Sequence, residues 1–104
     1  MDFKYANKQL YSDTEPYEII RVVSDKTLEI RSMTCEVIKN DKLNFHVGGF
    51  AGHCSNQEEQ EWNIKSNPNG YVTRIRLNKH GQWKNGSTKF YLSNTPTKFY
   101  DYNF

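Results

Sequence analysis

The sequence is poor in leucine, proline and cysteine, has no long apolar run, and carries no large excess of charge of either sign. Each lack excludes something. With 36% hydrophobic and 14% aromatic residues, core volume has to come from Tyr, Phe and Trp rather than Leu, a composition that favours strands. No stretch approaches the roughly 18 apolar residues of a transmembrane helix. The start, MDFKYANKQL, lacks the hydrophobic segment of a secretory signal, so the expected address is cytoplasmic, with no membrane partner. The 14 basic and 12 acidic residues leave a formal charge of +2, too nearly balanced for a long polyanion groove; extended nucleic acid is not an expected partner, although a local basic patch is allowed. Cys35 and Cys54 read as two thiols of a reducing compartment.

At 104 residues the chain has room for one compact domain, 1–104, with a modest core. PYEIIRVV (16–23) is a dense β-branched run, followed by the polar turn SDK and a second run, TLEIRSMTCEVI (27–38), which predicts a hairpin and a third strand beyond it. Residues 40–60, NDKLNFHVGGFAGHCSNQEEQ, contain three glycines and no sustained period, and predict a long loop. Ser55 with Glu58 matches a capping box, which predicts a single helical turn at most. The sequence does not place residues 1–10.

The second half is punctuated by NPNG (67–70) and NKHG (78–81), each suited to a three-residue hairpin loop with a glycine bulge, and by Asn85-Gly86, suited to a tighter one. An antiparallel meander follows. The fold class is therefore all-β, a small twisted antiparallel sheet or partly open barrel. Placing Asn67 opposite Tyr71 sets Ile64 against Arg74 and Trp62 against Arg76; placing Asn78 opposite Gln82 adds Lys84 to that side. One face then carries Trp62, Ile64, Val72, Arg74, Arg76 and Lys84, a basic aromatic surface, and the other Tyr71, Ile75, Leu77 and Trp83, a core. The C-terminal KFYDYNF alternates so that Tyr100, Tyr102 and Phe104 share one side, which predicts a closing strand with an aromatic face packed on the meander.

Chemistry-bearing groups are sparse. His46, His53, Cys54 and Cys35 are zinc-ligand types but lack the usual paired spacings, and two small thiols with two loop histidines is the better reading, so no metal is expected. His53 and Cys54 are sequence neighbours, an arrangement that rarely brings base and nucleophile into contact, and no pair of carboxylates stands out as acid and base. GGFAG (48–52) offers backbone N–H groups for an anion but is neither a dinucleotide fingerprint nor a P-loop. The basic aromatic face carries more: Arg forks suit phosphate oxygens, and Trp and Tyr offer stacking planes. Its bland alternatives are Arg stems covering Trp62 and Ile64 with their heads in water, or a homodimer interface. The expectation is a binding protein rather than an enzyme, with no cofactor.

YSDTEPYEIIRVVSDKTLEIR (11–31), GGFAGHCSNQ (48–57), NPNGYVTRIRLNKHGQW (67–83) and the terminal KFYDYNF together resemble a group of small phage-borne proteins, over nearly the whole chain after residue 10. That group resembles in turn the phage Thoeris anti-defence sponge proteins, in size, in an SD…PY strand entry, in a glycine-to-aromatic turn like 81–83, and in an ending of aromatic-aromatic-Asp-aromatic-x-Phe. The resemblance implies a non-catalytic homo-oligomer that sequesters a cyclic nucleotide immune signal, a cyclic ADP-ribose isomer or a cyclic oligonucleotide, between subunits in the infected host. Under it, Arg31, Arg74, Arg76 and Lys98 would meet phosphates, Tyr11, Trp83 or Tyr100 would stack on a base, and His53 and Asn56 would hydrogen-bond from the loop. The chain departs from the family before its tail, where TPTK leaves Lys98 as the basic candidate and no acid until Asp101. Two other functions use the same surface: a protein-binding inhibitor of a bacterial defence nuclease, and a nucleic-acid-associated phage accessory protein.

Overall fold

A computed structural model describes residues 3–39, 45–46, 53–54 and 61–99. Ten strands and no helix occur among them, and none of the described residues forms a helix long and apolar enough to cross a membrane. Six strands close a barrel: β1 (Tyr5–Gln9), β2 (Thr14–Ser24), β3 (Thr27–Ser32), β8 (Val72–Leu77), β9 (Trp83–Asn85) and β10 (Thr88–Ser93), in the order β1-β10-β9-β8-β3-β2. All neighbours are antiparallel. Each barrel strand lies beside its successor in the chain, so the barrel is an up-and-down meander interrupted once, between β3 and β8. That excursion holds two small ribbons, β4 (Thr34–Lys39) with β7 (Glu61–Lys65), and β5 (Phe45–His46) with β6 (His53–Cys54).

Alternation along the strands explains the core. In TLEIRS, Leu28 and Ile30 point in and are fully buried while Glu29 and Arg31 point out; in VTRIRL, Ile75 points in between outward Arg74 and Arg76. Ala6 is small where it faces Tyr17 and Leu92 on the two flanking strands. That leaves room for Tyr17 to meet Phe90 edge-on, with ring centroids 5.5 Å apart at 81°. Ile19, Trp83 and Leu92 pack around this cluster.

The local turns largely follow the sequence. Asn78 donates its N–H to Gln82 O (2.9 Å), and its Oδ1 accepts from His80 N and Gln82 N (2.9 Å each), holding the NKHG loop as expected. At the next hairpin Asn85 faces Thr88 and is the last strand residue, so the turn pair is Gly86-Ser87 rather than Asn85-Gly86. Gly86 has φ 60 at the first central position, where a two-residue hairpin of II′ type requires it.

The NPNG turn departs from expectation. It forms, with Gly70 N–H donated to Asn67 O (3.0 Å) and Asn69 N–H to Asn67 Oδ1 (3.0 Å), but it does not join paired strands. β7 pairs with β4, setting Ile64 against Cys35 and Trp62 against Val37, while Arg74 faces Glu29 and Arg76 faces Thr27 and Lys84. The physical reason is that β3 and β4 form one long run broken only at Met33. The returning chain pairs with all of it, and residues 66–71 are an extra turn on one side of that long ribbon. Ser32 locks the junction, giving its N–H to Tyr71 O (2.9 Å) and accepting Tyr71 N–H at Oγ (2.8 Å). Tyr71, expected in the core, is thereby left at the barrel end and 67% exposed.

The closing strand expected over KFYDYNF falls, beyond Phe99, outside the described residues. β10 closes the barrel against β1, and the chain then folds back over the outside of β1. Asn7, 7% exposed, donates Nδ2 to Thr95 O (3.1 Å) and accepts Thr97 N–H at Oδ1 (3.0 Å), and Phe99 exchanges two 2.9 Å backbone hydrogen bonds with Thr14. Tyr100 to Phe104 lie outside the described residues. Asn7→Ala strips this strap of its clamp and leaves two backbone groups without their partner, a cost of about 1–3 kcal/mol. Urea unfolding should show that loss, and amide exchange at Phe99 should accelerate.

Candidate functional site

The outer face of β3 and β8 holds all three arginines expected to bind ligand, and their ladder partners sort them. Arg74 Nε lies 3.2 Å from Glu29 Oε2, its directly opposite residue. Arg31 Nη2 lies 3.1 Å from Glu18 Oε1, opposite it on β2, and Ser66 Oγ donates to the other oxygen of Glu18 at 2.9 Å. Both guanidinium groups therefore already face a carboxylate, which lowers the charge either can offer an anion. Arg31 Nε is buried with no hydrogen-bond partner among the described residues.

Arg76 is different. It faces Lys84 across the β8–β9 ladder, and Lys84 faces Lys89 across the β9–β10 ladder. Directly opposed residues on a sheet have Cβ atoms about 4.5–5.5 Å apart, where like charges repel. In bulk water that repulsion is on the order of 1 kcal/mol per pair at ~4 Å before screening. No hydrogen bond or ion pair joins any of the three to a described residue. A row of three uncompensated cations across adjacent strands is the least expected electrostatic feature of the barrel.

An apolar slot lies beside this row. β9 spans three residues and β10 six; the two run together only from Asn85/Thr88 to Trp83/Phe90. Beyond Trp83 the chain turns away, because Gln82 gives both its backbone groups to Asn78. Tyr91 and Leu92 are then paired on the β1 side alone. The parting strands leave a pocket of about 250 Å³, lined by Phe3, Gly81, Gln82, Trp83, Lys89, Phe90, Tyr91 and Leu92. Phe3 and Tyr91, 45% and 56% exposed, stand at its mouth. Lys89 belongs to both features, so a charged group on the row and a flat apolar group in the slot would be neighbours.

Of the residues the sequence nominates, Arg76 and Trp83 meet here. Tyr11 sits on the β1–β2 connection, 91% exposed. Lys98 lies on the strap with Nζ 5.4 Å from the Trp62 ring centroid, so Trp62 meets a lysine on the β7 ribbon rather than Arg76. The backbone ladder sets His53 opposite His46 and Cys54 opposite Phe45, while Asn56, Tyr100 and the GGFAG stretch lie outside the described residues. Lys89, Phe3 and Tyr91 were missed. Lys89 was within reach of sequence reasoning, since extending the Asn85–Thr88 hairpin by one pair places it opposite Lys84.

No family model, curated protein or solved structure matches this chain, so the geometry stands on its own. The row predicts an inverse relation between stability and charge. Lys84→Glu turns two repulsive cross-strand pairs into attractive ones and should stabilise the barrel by about 0.2–1 kcal/mol per pair. Thermal melts should show a rise at low salt that shrinks as salt is added.

Proposed function

We propose that this protein is a non-catalytic binding protein that captures an anionic nucleotide on the outer face of its barrel, phosphates along Arg76, Lys84 and Lys89 and a base in the slot beside Trp83. The observation that carries this is the uncompensated cation row ending at an aromatic-lined slot: a nucleotide presents both a charge and a flat apolar surface. Sequestration of a cyclic nucleotide immune signal, the role of the phage anti-defence proteins that the sequence resembles, is the specific form of the proposal. Its setting is the cytoplasm of an infected bacterium. A homo-oligomer holding ligand between subunits belongs to the same proposal, and the exposed Phe3 and Tyr91 flanking the slot are the apolar side chains such an assembly would cover.

Purified protein incubated with cyclic ADP-ribose isomers and cyclic oligonucleotides, separated from free ligand and then heated, should release the ligand intact. Arg76→Ala and Lys84→Ala together should reduce capture by about tenfold or more, equivalent to ~1.4 kcal/mol, with an unchanged or raised melting temperature. Absence of uptake at micromolar protein overturns nucleotide capture, and release of hydrolysed ligand overturns the non-catalytic reading. Binding of long DNA or RNA that falls steeply with salt would favour a nucleic-acid-associated role instead.

A further inference from the structure

The barrel interior is not uniform along its axis. Around Leu28, Ile30 and Ile75 it is apolar and closed. At the end from which the β4–β7 ribbon departs it becomes polar: alternation from Ala6 and Tyr17 brings Lys8 and Glu15, which face each other across β1 and β2, to the inner side. Inward positions of β8 and β10 there are Thr73 and Thr88. These groups open on a pocket of about 210 Å³ lined by Lys8, Tyr17, Tyr71, Thr73, Asn85, Thr88 and Phe90. Its floor is the edge-to-face pair of Tyr17 and Phe90, and its rim is held by Asn85 Nδ2 donating to Thr73 Oγ1 at 2.9 Å.

Apart from the Asn85–Thr73 pair, the polar groups of this mouth are not spent on one another. Lys8, the Tyr17 hydroxyl and the Thr88 hydroxyl have no hydrogen bond or ion pair to a described residue. Glu15, opposite Lys8 in the ladder, lines a separate void of about 260 Å³ on the other side of Tyr17, with Pro16, Ser32, Met33, Cys35 and Lys98. Among the described residues, Lys8 is thus the one charged residue lining the mouth. Burial, then the nearby Glu15 and Tyr71, push the Tyr17 phenol above its ordinary value, so it remains a neutral donor.

We propose that this barrel mouth is a second binding site, separate from the outer cation row, and that it takes a small hydroxylated anion of the sugar-phosphate class. Lys8 supplies a point charge for the phosphate. The hydroxyls of Tyr17, Thr73 and Thr88 and the Asn85 amide face the sugar hydroxyls, with the Phe90 and Tyr17 rings beneath the sugar's C–H face. Mouths of small β-barrels are ordinary places for such ligands, with few polar groups over an apolar floor.

Ribose 5-phosphate is the probe that tests it, read by amide resonances of the whole protein during titration. Saturable shifts at Lys8, Thr73, Asn85 and Thr88, leaving Lys84 and Lys89 unmoved, support the site. Lys8→Met should weaken binding by about tenfold, and Thr88→Val, which preserves shape, should weaken it too. Lys84→Glu should leave it unchanged, so loss of the outer row and loss of the mouth read differently. Shifts confined to Lys84 and Lys89, no saturation at millimolar probe, or undiminished binding by Lys8→Met and Thr88→Val overturns the proposal. Should Lys8→Met fail to fold, the wild-type shift map and Thr88→Val decide the matter. Ribose binding as tightly as its phosphate also overturns it.

Discussion

β1 is the short strand on which the rest of the barrel depends. Its five residues pair on both sides, Tyr5 to Gln9 against Ser93 to Lys89 of β10 and against Glu18 to Thr14 of β2. Without it, β2 and β10 would each present an open edge, the usual route to uncontrolled pairing with other chains. Closure also brings Tyr17 and Phe90 onto one another across Ala6, and joins the buried side chains into one apolar cluster. The strap after β10 reinforces the same strand from outside, because Asn7, on the outward face of β1, is the residue that holds it.

A closed barrel fixes outer-face spacing. On a free two-stranded ribbon, twist and fraying would let opposed lysines drift apart; in a sheet paired on both sides, Arg76, Lys84 and Lys89 are held in one row. Arg31 and Arg74, on the same face, show the ordinary solution, in which the ladder partner is a carboxylate. Contrast within one face, acids beside two arginines and, among the described residues, none paired with the third, gives the row its weight as a site.

The slot and the mouth both arise where the barrel stops being regular. β9 is shorter than β10, so the strands part beside Trp83 and open the wall. At the other end the interior runs out of apolar side chains before the strands end, and polar groups line the opening. Neither feature is a property of one segment. Each needs the relative lengths and registers of strands distant in sequence.

By itself the sequence determined what is local. Alternation in VTRIRL set Ile75 inward and Arg74 and Arg76 outward, the SDK and NKHG turns set their own hairpins, and Arg76 against Lys84 followed from counting outward from Asn78 and Gln82. These signals work because a turn and its nearest pairs are decided by neighbouring residues. Only the tertiary structure decided that β8 pairs with β3 instead of β7, that β1 meets β10, and that Glu18 and Glu29 occupy two of the arginines. Those are choices among distant partners. Two strands can present equally good local patterns, and the one that wins is the one whose pairing closes the barrel and leaves fewest backbone groups unpaired.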